Sequence, residues 1–160
     1  YGEKPVDYTM RIVKAKMDAI LSGRNEDAFY LTSDTIVTID DFILGKPLSR
    51  NEAVSMLRQL SGREHSVITG ICIAYFLNGS LRTESEYERS SVYFKKLSDD
   101  SINRYLDLID YCDKAGSYAV QENGDMIIDS IRGSVTNVIG LPLGLLFRMI
   151  GNSGIRNSVF

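Results

Sequence analysis

Two dipeptides constrain this chain more than any other feature. Asp40-Asp41 separates two apolar, strand-like runs, residues 36–39 and 42–44. Asn78-Gly79 separates a long apolar run at residues 65–77 from a more polar one at about residues 81–94. Asn-Gly is a strong signal for a two-residue hairpin, because both central residues of a type I′ turn need positive φ. Two-residue connections join only antiparallel neighbours. A doubly wound parallel sheet is therefore excluded, even though helical segments interleave with the strands. The expected architecture is an α/β fold with an elongated mixed, largely antiparallel sheet and helices packed on it.

The helical segments are legible from period and capping. Val6, Met10, Val13, Met17, Ile20 and Leu21 predict an amphipathic helix over Pro5–Leu21, with Pro5 in the first turn, where its missing N–H matters least. Ser49-Arg50-Asn51-Glu52 is a capping box; Ala53, Met56, Leu57 and Leu60 supply the apolar face behind it, and Gly62 suits the stop. Ser98 or Asp99 opens a third helix, with Ile102, Leu106 and Ile109 at helical spacing. Residues 126–131 read as a short strand, and Pro142 sits in the first turn of a last helix ending near Ile150. Residues 1–150 are expected to form one domain, and the Gly-, Asn- and Ser-rich residues 151–160 a mobile tail.

Composition removes several functions. The net charge is −3 and no basic run exceeds two residues, which argues against a nucleic-acid groove or a membrane-surface patch. The longest apolar stretch, residues 71–77, is too short to span a bilayer. Two cysteines, Cys72 and Cys112, cannot make a disulfide framework or a four-ligand zinc site, and the expected compartment is the reducing cytoplasm. With one histidine, His65, and no Gly-x-Ser-x-Gly elbow, a Ser-His-Asp device has nothing to build on. Carboxylates, lysines and a metal remain.

Those residue types gather around the first hairpin. Asp34 lies just before its first run and Lys46 just after its second, so the turn should return them to the same side of the sheet. A carboxylate and an ammonium there suit a metal and a polyphosphate; the plainer alternative is a strand-capping Asp and a Lys-Pro surface turn. Lys14 lies about 70° from the centre of the first helix's apolar stripe, where it either presents its head to a cleft or snorkels. Ala115 and Gly116 are small enough to let backbone approach a neighbour or ligand.

Five blocks stand in order: Ser33-Asp34-Thr35-Ile36-Val37, Leu44-Gly45-Lys46-Pro47, residues 60–70 (Leu-Ser-Gly-Arg-Glu-His-Ser-Val-Ile-Thr-Gly), Asp113-Lys114-Ala115-Gly116-Ser117-Tyr118, and residues 137–143 (Asn-Val-Ile-Gly-Leu-Pro-Leu). Together they resemble the Maf family, the septum-formation proteins that act as nucleoside triphosphate pyrophosphatases. The resemblance implies an ITPase-like fold of two lobes around a cleft, a divalent cation (Mg2+ or Mn2+) and a homodimer. It implies that Asp34 is the proton acceptor and metal partner, and that Lys14, Lys46 and Lys114 are basic residues of the cleft that bind phosphate. It implies that Thr35 and Gln121 set base preference, in the manner of the branch acting on dTTP and UTP. His65 and Thr69 are expected to orient the sheet. One departure stands out: the family opens with a strand and a Ser-x-Ser-Pro-Arg-Arg loop that have no counterpart here, so the chain is expected to begin some way into the fold and, as written, to be a weak enzyme. Two other readings stay open: a truncated, non-catalytic family member that binds nucleotide or a cell-division partner, and a purine-directed house-cleaning pyrophosphatase of the inosine triphosphate type.

Overall fold

A long central strand with dissimilar neighbours on its two faces organises the molecule. The computed structural model describes residues 2–22, 28–77 and 79–154. Its elements run α1 (Pro5–Leu21), β1 (Tyr30–Ile39), β2 (Phe42–Leu44), α2 (Arg50–Leu60), β3 (Glu64–Leu77), β4 (Ser80–Phe94), α3 (Asp99–Leu106), β5 (Ile128–Arg132), α4 (Val135–Ile139) and α5 (Leu143–Asn152). The five strands form one sheet in the order β2-β1-β3-β4-β5, and all four pairings are antiparallel.

The first hairpin turns as its sequence requires. Asp40 and Asp41 have φ of 50° and 63°, the left-handed pair that a type I′ turn demands. In the second hairpin Leu77 pairs with Ser80 and Gly79 has φ 74°, while Asn78 lies outside the described residues. The capping box at α2 forms with one variation. Ser49 Oγ accepts from the Glu52 backbone N–H, and the Glu52 carboxylate accepts from the N–H of Leu48, one residue earlier than the usual partner. Gly62, at φ 68°, closes that helix. The third helix ends at Leu106, so Ile109 joins the core from the loop that follows. The last helix begins at Leu143, directly after Pro142, and reaches Asn152, with Ser153 buried behind it. Part of the predicted tail is thus helical, and residues 155–160 lie outside the described residues. The short helix α4, capped by Ser134 Oγ, is not foreseen by periodicity because one turn gives no period to read.

β3 is buried along most of its length, and alternation sends its residues to two different cores. On one face Cys72 and Ala74 pack with Tyr30 against Val13 and Met17 of α1. On the other face the apolar packing is split. Val67 belongs to a cluster with α2, α3 and Phe94, whereas Ile71, Ile73 and Tyr75 pack against Leu145, Leu146 and Met149 of α5. Thr69 stands between the two clusters, directly opposite Thr35 of β1. Thr69, a polar residue between the two apolar clusters, divides that face into two lobes.

Gly70, the next residue, faces α1. A Cβ there would lie 3.0 Å from Thr9 Cγ2 and 3.3 Å from Val13 Cγ1, so the helix sits as close to the strand as the missing side chain allows. Gly70→Ala should therefore lower stability by about 1–3 kcal/mol through overpacking, read as a shifted denaturant midpoint. An unchanged midpoint would mean that α1 is not held this closely.

Candidate active site

The cleft lies where β2 stops. β1 is ten residues long but β2 pairs only with Val37–Ile39, so Ser33, Asp34 and Thr35 lie beyond its reach. Around that stretch is a cleft of about 360 Å³, lined by Lys16, Asp34, Thr35, Lys46, Lys114 and Gln121 among others. Asp34 pairs with Gly70 and points to the α1 side. Its Oδ1 accepts a 2.6 Å bond from Lys16 Nζ, which also reaches Ser33 O at 3.0 Å. Ser33 and Thr35 point to the opposite face.

The second wall comes from the loop after α3. Gly116 has φ 67°, and its N–H donates to Gly45 O at 3.0 Å. A Cβ at Gly116 would stand 3.0 Å from Val37 Cγ1, so only glycine lets the loop dock on the hairpin. This contact sets Lys114 near Lys46, which follows Gly45. Lys46 Nζ bonds the Asp113 carboxylate, which raises the lysine's pKa and lowers the acid's. Lys114 pairs with Glu122 at 3.1 Å. The stretch leading to Gln121 is fixed by Tyr105, whose hydroxyl donates to Ala119 O and accepts from Ala119 N–H. Burial pushes that phenol's pKa up to about 12.

Tyr118 lines the cleft and is held from behind. Its hydroxyl and His65 Nε2 are 2.8 Å apart, and both rings meet Phe94 edge to face. His65 is 3% exposed, and its Nδ1 has no partner among the described residues. Desolvation pulls its pKa down to about 4. A protonated ring would bury a charge beside an apolar cluster, with an N–H that has no acceptor.

Of the residues singled out in the sequence, the fold brings Asp34, Thr35, Lys46, Lys114 and Gln121 to one cleft. Lys14 is not among its lining residues. It lies with Asp7, Met10, Arg11 and Asp18 on the outer surface of α1, and Lys16 occupies the cleft instead. The reason is rotational. Taking Val13 as the middle of the buried stripe, Lys14 stands about 100° to one side and Lys16 about 60° to the other. Periodicity places both on rims without saying which rim meets β1. Ser33, Tyr118 and residues 138–140 also line the cleft; they sit inside the five blocks, but nothing in their residue types marks them.

The family model described as "Maf-like protein" matches residues 1–153. The chain belongs to the Maf family. Curated relatives named "dTTP/UTP pyrophosphatase" include a Caldanaerobacter subterraneus protein, 38% identical over 148 residues, a match that spans 92% of this chain and 70% of the relative. One from Caldicellulosiruptor bescii is 41% identical, with 91% and 73% covered. One from Neisseria gonorrhoeae is 38% identical, with 97% and 78% covered. The antiparallel sheet and its helices agree with the Maf fold. No helix among the described residues is long and apolar enough to cross a membrane.

His65 gives this Maf protein a pH signature. Its pKa falls from 6.5 to about 4 on folding, so below pH 6.5 the unfolded chain takes up a proton that the folded chain refuses. Stability is unaffected above that window and declines as pH drops through it, by about 3 kcal/mol in all. Urea titrations at pH 7 and pH 4.5 should show the loss. His65→Gln should start less stable at pH 7 and lose less over the same interval; a parallel loss in both proteins would rule His65 out as the source.

Proposed function

We propose that this cleft hydrolyses dTTP and UTP to the nucleoside monophosphate and pyrophosphate, with Asp34 as the proton acceptor. The observation that carries the reading is the placement of Asp34: a carboxylate on a strand edge inside the cleft, fixed by Lys16 and faced by Lys46 and Lys114. The names of the curated relatives supply the reaction and the bases. Neither a purine-directed enzyme nor a non-catalytic binder draws support from them.

In this reading a water oxygen attacks the α-phosphorus. A bond forms between that oxygen and phosphorus, the bond to the oxygen bridging to the β-phosphorus breaks, and pyrophosphate leaves with the electron pair. Asp34 takes the water's proton. The lysine ammoniums, as point charges, offset the charge gathering on the phosphate oxygens. Among the described residues no three His, Cys, Asp or Glu side chains cluster as a metal cage. One cleft carboxylate is nonetheless a sufficient protein ligand for Mg2+ or Mn2+, which bind through one or two carboxylates with phosphates and water completing the shell. Bound beside Asp34, such an ion supplies charge to the polyphosphate and acidity to a water. Thr35 and Gln121 offer a hydroxyl and an amide to the base edge. A homodimer is part of this reading on the family resemblance, and the cytoplasm on the two free cysteines.

Asp34→Asn in the full-length protein should keep the fold and lower kcat at least about a hundredfold. A pyrophosphate-release assay with Mg2+ or Mn2+ measures it, and retention of more than about a tenth of the rate sinks the role. With the four substrates dTTP, UTP, GTP and ATP, kcat/KM should be highest for the two pyrimidines. Faster turnover of either purine overturns the base assignment.

A further inference from the structure

We propose that Thr69, which lies behind Thr35, is a specificity-determining residue: it fixes the direction of the Thr35 hydroxyl so that Thr35 offers the base an acceptor and no donor. The inference deepens the pyrimidine reading and rests on it. It begins with a buried chain of three groups. Thr69 Oγ1 is 2.8 Å from the backbone oxygen of Asn137. A carbonyl oxygen only accepts, so the single Thr69 hydroxyl proton is committed there. Thr35 Oγ1 lies 2.9 Å from Thr69 Oγ1. Since Thr69 has no second proton, Thr35 must donate. Its own proton therefore points into the protein, and only lone pairs are left for the cleft.

Four further observations support this. Thr69 is fully buried, so water cannot compete for its proton. The Asn137 carbonyl is itself held in place. The side-chain Nδ2 of that fully buried residue donates to Val67 O at 3.1 Å and to Ser90 Oγ at 2.9 Å, and Ser134 Oγ caps its backbone N–H. Ser33 is polarised in the same sense, its hydroxyl donating to Gly140 O at 2.6 Å. Gly140 leaves the Thr35 oxygen uncovered: its φ is 119°, and a Cβ there would stand 3.4 Å from Thr35 Oγ1. The wall beside Asp34 is thus a short row of hydroxyl acceptors whose protons all point inward.

An acceptor-only wall recognises an N–H. Uracil and thymine carry one at N3, between two carbonyls. Cytosine carries a lone pair at N3, which would face another lone pair. The hydroxyl chain therefore selects the imide bases over cytosine, although both pyrimidines fit the same space. A site built to pair with an N–H discriminates strongly against a ligand that lacks it.

The test compares wild type, Thr69→Val and Thr69→Ser in the full-length protein. It measures kcat/KM for UTP and CTP, and calorimetric binding of the non-hydrolysable α,β-imido analogues of both. Wild type should favour the uridine nucleotide. Thr69→Val frees the Thr35 proton to turn toward the cleft, and the UTP-to-CTP ratio should fall at least roughly tenfold. Thr69→Ser keeps the hydroxyl and should restore the ratio. An equal loss for both bases with the ratio unmoved, or no preference in wild type, overturns the proposal. If no triphosphate is turned over, the pyrophosphatase reading fails, and the analogue binding ratios still decide the hydroxyl argument. A third probe covers poor folding of Thr69→Val: the wild type with the α,β-imido triphosphate of 3-methyluridine, which has no N3–H. Binding as tight as the uridine analogue's overturns the proposal, and binding at least about tenfold weaker supports it.

Discussion

Two adjacent residues of β3 face opposite ways, and each fixes one wall of the cleft. Gly70 lets α1 press onto the sheet, and that approach carries Lys16 to Asp34. Thr69 interrupts the apolar packing on the other face and ties β1 to the backbone of α4. Strand alternation makes the pair possible, since neighbouring side chains must leave the sheet on different sides. Shifting β3 by one residue against β1 would exchange the two roles. The glycine would then sit in the polar gap and the threonine under the helix, so the register of one strand pair determines both walls together.

The same economy appears in the loop from Asp113 to Gln121. It has little regular structure, yet it is pinned at several points: a glycine seated against Val37, a tyrosine ring wedged between His65 and Phe94, and a backbone clamp from Tyr105. Lys114 and Gln121, which line the cleft, ride on this fixed frame. His65 contributes by bracing Tyr118 and never reaches the cleft itself.

Much of this was legible in the chain. Hairpins declared themselves through two-residue turns, and helices through capping residues and period, because those signals are local. The core faces followed from the same periods. Long-range geometry was less accessible. The sequence placed Lys14 at the cleft, whereas Lys16 lies there, because the choice between two rims depends on how a helix crosses a sheet. Asp34 read as a strand-end residue but lies inside a ten-residue strand, since β1 starts at Tyr30, well before its apolar half. The direction of the Thr35 hydroxyl depends on a carbonyl more than a hundred residues away in the chain, and no local pattern encodes it.

The cleft's cations do not stand alone. Lys16, Lys46 and Lys114 are each paired with a carboxylate, from Asp34, Asp113 and Glu122. Three positive charges facing three negative ones give the resting site almost no net field, on a chain that is itself mildly acidic. An anionic nucleotide is therefore not drawn in from a distance, as it would be by an unpaired basic funnel. In the proposed reaction, phosphate oxygens would replace carboxylates as the lysines' partners only on contact. Encounter rates should depend little on ionic strength.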